Sequence, residues 1–200
     1  MRVIAGKYRS RTLRSLRGMD TRPTSDRLRE TLFNVLSAGN PAALEGTVWL
    51  DLFAGTGAVG VEALSRGAKQ VYFVESSPSA LETIQKNLES LGIASGFRVL
   101  QEKLPHPLER IGRESFTADV IFLDPPYQMQ DAYTDTLRAI AESSLIRPES
   151  IVVAEHEKKF DPGEGFGRLQ RFRLLVQGSA ALSFYRLRDS GEHGEPNSTT

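Results

Sequence analysis

The chain has 200 residues, no cysteine and a formal net charge of zero at pH 7. Without cysteine there can be no disulfide, thiolate metal site or cysteine nucleophile, and with three scattered histidines we expect no metal. The length suits one α/β domain with a small extension. Because no apolar run approaches the roughly 18 residues of a membrane span and no signal peptide begins the chain, we expect a cytoplasmic protein without membrane contact.

The charges are unevenly spread along the chain. Residues 1–30 hold nine bases and three acids, a balance of +6, whereas the other 170 residues hold 16 bases and 22 acids. Such asymmetry predicts a polyanion partner for the basic end, most simply nucleic acid, although a solvated basic segment is the alternative. The side chains predicted to contact nucleic acid are Arg2, Lys7, Arg9, Arg11, Arg14, Arg22 and Arg27.

The basic end is predicted to form a hairpin followed by a helix. Residues 2–15 have the pattern of two short strands with a turn at Ala5-Gly6-Lys7, and alternate arginines on such a ribbon can follow a phosphate backbone. Residues 20–23 are predicted as a turn, and Thr24 or Ser25 can cap the next helix. An apolar stripe on that helix, which ends at residues 39–41, predicts that it docks on the rest of the protein.

Residues 47–67 predict a strand, a glycine turn and a helix. A near-continuous apolar run over 48–53 is typical of a strand buried on both faces. Gly55, Gly57 and Gly60 fit the GxGxxG pattern, which lets the backbone turn tightly close to a ligand at a helix N-terminus. The pattern alone does not identify that ligand, and a packed turn without a ligand is also possible.

Two carboxylates narrow the choice of ligand. Glu75 lies 20 residues after Gly55. In dinucleotide-binding domains, an acid at about this spacing along the sequence binds the ribose. Asp51 next to the turn would repel a pyrophosphate but suits an ammonium or sulfonium, which favours S-adenosylmethionine over NAD. The predicted cofactor-binding residues of this region are Asp51, Phe53, Ala54, Gly55, Thr56, Gly57, Glu75 and Ser76.

The remaining elements alternate between strands and helices. Strands are predicted over 70–75, 97–100, 118–123 and 150–155, and helices over 78–91, 108–113 and 131–144. A loop at 163–167 precedes a closing pair of strands over 168–177 and 180–187, and residues 189–200 have the composition of a disordered tail. This order predicts a doubly wound, mostly parallel sheet, whose ligand crevice lies at the carboxyl ends of the strands.

Asp124-Pro125-Pro126-Tyr127 follows the fourth predicted strand. Two successive prolines remove two N–H groups and stiffen the chain, so the carbonyl groups keep fixed directions. Such an acceptor array suits a flat base with an exocyclic amine, which the carboxylate and the first proline carbonyl can bind while the tyrosine ring stacks. A stiffened loop with a buried tyrosine is the structural alternative. We predict Asp124, Pro125, Pro126 and Tyr127 as the catalytic residues.

These two motifs resemble those of class I methyltransferases that act on an amino nitrogen. The segments 1–7, 21–30, 73–75, 122–127 and 153–156 are similar to the bacterial 16S ribosomal RNA (guanine-N2)-methyltransferase family, and the resemblance covers residues 1–187. It implies methylation of one guanine N2 amine in the small ribosomal subunit. Where that family usually has Asn-Asp-Ala after the third strand, this chain has Gln101-Glu102-Lys103, and Glu102 is predicted to bind the cofactor adenine.

The full prediction is a basic RNA-binding extension (1–40), a methyltransferase domain (41–188) and a tail (189–200), acting as a monomer. The same motifs also occur in methyltransferases for adenine N6 or protein glutamine, although many of those have Asn in place of Asp124. A non-catalytic RNA-binding assembly factor that keeps the fold is an alternative of a different class.

Overall fold

The computed structural model describes residues 1–16, 25–112 and 116–188. The helices are α1 (Asp26–Ser37), α2 (Ala58–Ser65), α3 (Pro78–Ser90), α4 (Pro107–Gly112) and α5 (Gln130–Glu142), and a 3-10 helix covers Pro41–Leu44. The strands are β1 (Val48–Leu52), β2 (Gln70–Glu75), β3 (Phe97–Gln101), β4 (Val120–Leu123), β5 (Ile151–Glu157), β6 (Gly165–Phe166), β7 (Leu169–Gln177) and β8 (Ala180–Leu187).

These strands form one sheet in the order β3-β2-β1-β4-β5-β8-β7-β6. The first five strands are parallel, and β8, β7 and β6 continue the sheet with antiparallel pairing. The central strands β1 and β4 are buried on both faces, as their continuous apolar runs require. The predicted doubly wound, mostly parallel α/β sheet is therefore confirmed.

Successive residues of each strand point to opposite faces and divide the core into two layers. Trp49 contributes to the layer under α1, α2 and α3, whereas its neighbour Leu50 contributes to the layer under α4 and α5. The first layer also contains Val3 and Leu13 from the N-terminal end. As predicted, α1 docks on the main sheet, with Phe33 stacked on Trp49 at a centroid distance of 5.2 Å.

The N-terminal segment, residues 1–16, reverses direction as predicted but does not form two regular strands. An isolated antiparallel bridge joins Arg2 and Thr12, and turns and bends occupy the residues between Ala5 and Ser10. Gly6 and Ser10 have positive φ angles of 79° and 67°, which interrupt an extended strand. The expected alternation of arginines along a ribbon is therefore wrong, because this part of the segment is not extended.

Contacts with α2 explain this irregular path. The backbone N–H groups of Ile4 and Ala5 donate to the buried carboxylate of Glu62, at 2.7 and 3.0 Å. Those of Lys7 and Tyr8 donate to the carbonyl and hydroxyl oxygens of Ser65, at 2.7 and 3.0 Å. Four N–H groups near the turn are thus bound to the body of the protein, while those of Val3, Ser10 and Leu13 pair across the segment.

Most predicted element boundaries agree with the structure within two residues. Ser25, not Thr24, caps α1 by accepting from the Leu28 N–H. The region 163–167, predicted as a loop, contains the short strand β6, because its backbone can pair with the start of β7. Some predictions lie outside the described residues. They are the turn at 20–23 with Arg22, the last residue of the helix predicted over 108–113, which is Arg113, and the tail at 189–200.

Among the helices of the described ranges, none combines the length and apolar character needed to span a lipid bilayer.

The close approach of Gly6 to α2 generates a stability prediction. A β-carbon on Gly6 would lie 1.9 Å from the Ser65 carbonyl oxygen, whereas one on Gly46, at a similar φ of 73°, would meet nothing within 4 Å. Gly46→Ala should therefore lower the free energy of unfolding by about 1 kcal/mol through backbone strain alone. Gly6→Ala should lower it by about 1–3 kcal/mol more, since the N-terminal segment must shift to relieve the overlap. Urea unfolding of both variants measures the difference, and equal effects would contradict the proposed tight docking.

Candidate active site

A loop with unusual backbone geometry connects β1 to α2. Phe53, Gly55 and Gly57 have positive φ angles of 57°, 55° and 74°. The two glycines adopt such angles without strain, but a phenylalanine there is uncommon and marks a backbone held by its surroundings. Gly57 precedes the first turn of α2, and its N–H closes the loop by donating to the Ala54 carbonyl at 2.7 Å. The cofactor loop, residues 53–57, therefore has a fixed shape.

Asp51 lies at the carboxyl end of β1 and is 2% exposed. One of its carboxylate oxygens accepts from the Gly60 N–H in α2 at 2.9 Å. Burial raises the pKa of Asp51 to about 7, because desolvation disfavours the charged form and Glu75 adds repulsion, although the Gly60 N–H opposes both. A cation that binds next to Asp51 would favour the ionised form of this carboxylate.

Gly60 has a packing role in the same region. A β-carbon at this position would lie 2.3 Å from the Phe73 ring and 2.7 Å from Val71. The third glycine of the GxGxxG pattern thus lets α2 approach β2 closely, which brings the Gly60 N–H to Asp51.

Glu75 ends β2 and binds backbone N–H groups on two sides. One carboxylate oxygen accepts from Gly55 at 2.9 Å, and the other accepts from Ser76 and Ser77 at 2.8 Å each. The sequence predicts that Glu75 binds a ribose diol, and the structure shows that it fixes the cofactor loop. The three N–H groups use three of the about four acceptor sites of a carboxylate, so one site remains, on the oxygen that binds Gly55.

The segment after β3 forms the third part of this edge. The Glu102 N–H donates to the Glu75 carbonyl at 3.0 Å, which aligns the two strand ends. The Glu102 side chain forms an ion pair with Arg110 of α4. Lys103 follows directly and faces the same pocket.

The loop after β4 is held through its carbonyl groups. The Asp124 N–H lies 3.4 Å from the Leu52 carbonyl of β1. The Pro126 carbonyl accepts from the Met129 N–H at 2.7 Å, and the Pro125 carbonyl accepts from the hydroxyl of Tyr133 at 3.1 Å. Pro125 is buried, while Asp124 and Tyr127 are partly exposed toward the pocket.

These strand ends and loops enclose one pocket of about 570 Å³, within the usual range for small-molecule sites. The predicted residues that line it are Asp51, Phe53, Ala54, Gly55, Thr56, Glu75, Ser76, Glu102, Asp124, Pro125, Pro126 and Tyr127. Gly57 is the predicted residue that does not line it and instead forms the N-cap of α2. The structure adds contributors that the sequence analysis missed, among them Met1, Ser15, Leu16, Lys103 and Gln128.

The charge of the pocket distinguishes the two nucleotide ligands considered above. Its charged lining residues are Asp51, Glu75, Glu102 and Asp124 with one lysine, Lys103, and Phe53 and Val74 supply apolar wall. Four carboxylates against one ammonium would repel a pyrophosphate but attract the sulfonium and ammonium of S-adenosylmethionine. The residues present therefore fit S-adenosylmethionine better than NAD.

Asn87 of α3 connects this pocket to the N-terminal segment. Its amide nitrogen donates to the Thr56 carbonyl at 2.9 Å and to the Arg14 carbonyl at 3.3 Å, and its amide oxygen accepts from the Arg14 N–H at 2.7 Å. The side chain is fully buried. No sequence motif indicated Asn87, because its partners lie 31 and 73 residues away.

The predicted nucleic-acid residues lie in two places. Arg2, Arg9 and Arg27 line a second cavity of about 400 Å³ between the N-terminal segment and α1, together with Asp26 and Glu30. Arg2 and Asp26 are 3.9 Å apart, so acids do accompany the arginines there.

Two of the other described basic residues contact α3: Arg11 donates to the Ser90 carbonyl at 3.0 Å, and Arg14 is bound to Asn87 through its backbone. Lys7 lies over the Tyr8 ring at 5.3 Å, and its backbone N–H binds Ser65 of α2. The described basic residues are therefore spread over contacts with α1, α2 and α3, and Arg14 directly precedes Ser15 and Leu16, which line the active-site pocket.

The sheet order and the pocket at the carboxyl ends of its parallel strands define an S-adenosylmethionine-dependent class I methyltransferase fold. The similar solved structures include the "Putative methyltransferase yhhF" of Escherichia coli, with a TM-score of 0.76 and 27% identity over 94% of this chain and 98% of that chain. A hypothetical protein of Thermus thermophilus gives a TM-score of 0.77 and 28% identity over 92% of this chain and 98% of that chain.

The chain belongs to the family described as Conserved hypothetical protein 95, whose profile matches residues 1–186. A protein of Haemophilus influenzae named "Ribosomal RNA small subunit methyltransferase D" is 36% identical over 94% of this chain and 92% of its own length. The Escherichia coli K12 protein of the same name is 29% identical over 96% and 92%. These relatives confirm the family resemblance seen in the sequence.

The raised pKa of Asp51 predicts a pH-dependent affinity for S-adenosylmethionine. A cation favours the ionised carboxylate, whose population falls as the pH drops through about 7. Calorimetric titrations should show affinity decreasing about tenfold between pH 8 and pH 6, in proportion to the ionised fraction. Asp51→Asn should bind more weakly at pH 8 and lose most of this pH dependence.

The stability of Asp51→Asn provides a control for correct folding of this variant. Asp51 ionises near its ordinary pKa of 3.8 in the unfolded chain but near 7 in the fold. The folded protein therefore binds the proton more tightly, and its stability decreases as the pH rises from about 4 to 7. Asp51→Asn removes this loss and should be at least as stable as the wild type at pH 8, so weaker binding there cannot come from unfolding. A wild-type affinity that stays constant over this pH range would contradict the assignment.

Proposed function

We propose that this protein transfers the methyl group of S-adenosylmethionine to the exocyclic N2 amine of one guanine in 16S ribosomal RNA, within the assembled small subunit. The observation that carries the proposal is the position of the Asp124–Tyr127 loop on the same pocket as Asp51 and Glu75. A site for a cationic cofactor thus adjoins a rigid set of acceptors for an amine. The relatives named ribosomal RNA small subunit methyltransferase D support RNA as the substrate.

Each strand end has a proposed part of the cofactor to bind. Glu75 would accept from one ribose hydroxyl group while it continues to hold Gly55. Asp51 and the cofactor loop would hold the amino-acid end, where the ammonium and sulfonium lie close together. Glu102 and Lys103, at the end of β3, would contact the adenine.

The sulfonium supplies an already activated methyl group, so the protein needs little further chemistry. Its main task is to place N2 in line with the methyl carbon, and such positioning can contribute about 7–11 kcal/mol in favourable cases. Asp124 and the Pro125 carbonyl would accept from the amine and stabilise the positive charge that develops on it. Asp124 would accept the proton that the amine loses when it is methylated.

Base capture is assigned to Tyr127, whose ring is half-buried at the pocket edge. Stacking of a base on an aromatic ring contributes about 1–3 kcal/mol and needs the ring face rather than the hydroxyl. A guanine in folded RNA must leave its stack to reach this pocket.

The basic N-terminal segment would hold the RNA backbone. The support is that Arg14 directly precedes Ser15 and Leu16, which line the active-site pocket. Phosphate contacts fix the position of the RNA without reading its sequence, so the choice of guanine would depend on the shape of the ribosomal substrate.

Methyl transfer from labelled cofactor to 30S particles and to naked 16S RNA, followed by nucleoside analysis, tests this function. We expect N2-methylguanosine from the particles. Methylated adenosine, or label in protein, would replace the proposal with one of the other amino targets. A protein that binds RNA without transferring label would be an assembly factor.

The Asp124–Tyr127 loop should affect turnover rather than cofactor binding. Asp124→Ala should reduce turnover on 30S particles by roughly 10²-fold or more, with cofactor affinity near that of the wild type. Tyr127→Ala should weaken RNA capture by about 1–3 kcal/mol, whereas Tyr127→Phe should keep most activity. Normal turnover of Asp124→Ala would show that its carboxylate is structural, and equal damage in both Tyr127 variants would rule out stacking as its role.

RNA binding should depend on the arginines of the N-terminal segment. Replacing Arg9, Arg11 and Arg14 by alanine should weaken binding of a 16S fragment and reduce its salt slope by up to about 0.7–0.9 per lost phosphate contact. A matched control replaces three exposed arginines outside this segment, Arg138, Arg173 and Arg186. If both triple variants lose affinity equally, the effect comes from net charge and not from this surface.

A further inference from the structure

Tyr133 is a buried residue that contacts the proposed catalytic loop but is not part of its motif. It lies in the first turns of α5 and is fully buried. Its hydroxyl donates to the Pro125 carbonyl at 3.1 Å. Pro125 is the residue whose carbonyl is proposed to accept from the target amine.

The chemistry of proline explains why this carbonyl needs an external partner. A proline ring fixes φ, and the following Pro126 confines ψ of Pro125 to the extended region, but the carbonyl direction can still vary over a range of about 40° within it. Because Pro126 has no N–H, the peptide between the two prolines cannot be held through a donor of its own. The Met129 N–H fixes the next carbonyl, that of Pro126, at 2.7 Å. Tyr133 performs the equivalent function for Pro125.

Tyr133 is itself held in place from the side of β5. Its ring packs against Phe160 at a centroid distance of 5.1 Å, and Phe160 contacts the edge of His156 at 6.2 Å. Burial and the nearby carboxylate of Asp124 raise the pKa of Tyr133, so the hydroxyl remains a donor. A carbonyl oxygen has two lone pairs, and one bond from Tyr133 leaves the other for an amine.

We propose that Tyr133 is a positioning residue for methyl transfer, which aims the Pro125 carbonyl at the target amine. This inference rests on the proposed function of the Asp124–Tyr127 loop. Without the hydroxyl, the Pro125 carbonyl can change its direction within the ψ range that Pro126 leaves, and the amine loses a well-aligned acceptor in the transition state. The cofactor and the RNA are bound by other groups, so loss of the Tyr133 hydroxyl should leave both affinities unchanged.

The test compares Tyr133→Phe with Tyr185→Phe. Tyr185 is also buried, and its hydroxyl donates to a backbone carbonyl, that of Gly163, at 2.8 Å. In contrast to Pro125, Gly163 does not line the active-site pocket, and Tyr185 does not line it either. Methyl transfer to 30S particles gives kcat and KM, calorimetry gives the Kd for S-adenosylhomocysteine, and urea unfolding gives stability.

Tyr133→Phe should lower kcat about three- to tenfold, the effect of one aligned hydrogen bond, with KM and Kd changed by less than about twofold. Tyr185→Phe should lose comparable stability but keep the wild-type kcat. Phe160→Leu, which loosens the Tyr133 ring and keeps its hydroxyl, should lower kcat by a smaller factor.

The inference is wrong if Tyr133→Phe keeps its kcat, if Tyr185→Phe loses as much kcat, or if the loss appears only in KM or Kd. Should Tyr133→Phe fail to fold, a normal kcat in Phe160→Leu would overturn the inference. Failure of the proposed function looks different, because the wild-type protein would then not methylate the particles at all.

Discussion

A buried carboxylate, Glu62 of α2, joins the N-terminal segment to the cofactor loop. It accepts from the backbone of Ile4 and Ala5 and pairs with Arg66 at 2.8 Å, while being fully buried itself. A buried charge is costly unless it is paired and hydrogen-bonded, and these contacts satisfy it. Because α2 starts at the cofactor loop, one short helix lines the pocket with Ala58 and Val59 and holds the basic segment through Glu62 and Ser65.

Arg29 adds to this junction in a less complete way. It is fully buried, and one terminal nitrogen donates to the Arg2 carbonyl and to Asp26. In the described part of the chain, its Nε and its other terminal nitrogen make no hydrogen bond, and its Nε lies 3.9 Å from Glu62. A partly satisfied ion pair of this kind contributes little net stability. Its effect is to define where α1 and the N-terminal segment meet α2.

The sequence predicted the residues whose positions follow from the order of elements. Parallel strands place their carboxyl ends at one edge, so Asp51, Glu75 and Asp124 could be assigned to one pocket without coordinates. The sequence did not reveal Tyr133 or Asn87, because nothing in local periodicity shows which carbonyl a buried side chain will reach. The ribbon of arginines was mispredicted for the same reason, since the partners of that segment lie nearly 60 residues away in α2.

Asn87 shows why the basic segment and the cofactor loop depend on each other. Its amide binds Thr56 of the loop and both backbone groups of Arg14, which are 42 residues apart in the sequence. A buried amide that loses these partners costs about 1–3 kcal/mol, so the fully bonded state requires that loop and segment be docked together. The two halves of the proposed reaction, cofactor binding and RNA binding, therefore use surfaces that form as one unit. This coupling is built on α3, which lines the pocket at Ala80 and binds Arg11 of the N-terminal segment at Ser90, so that one helix contacts both surfaces.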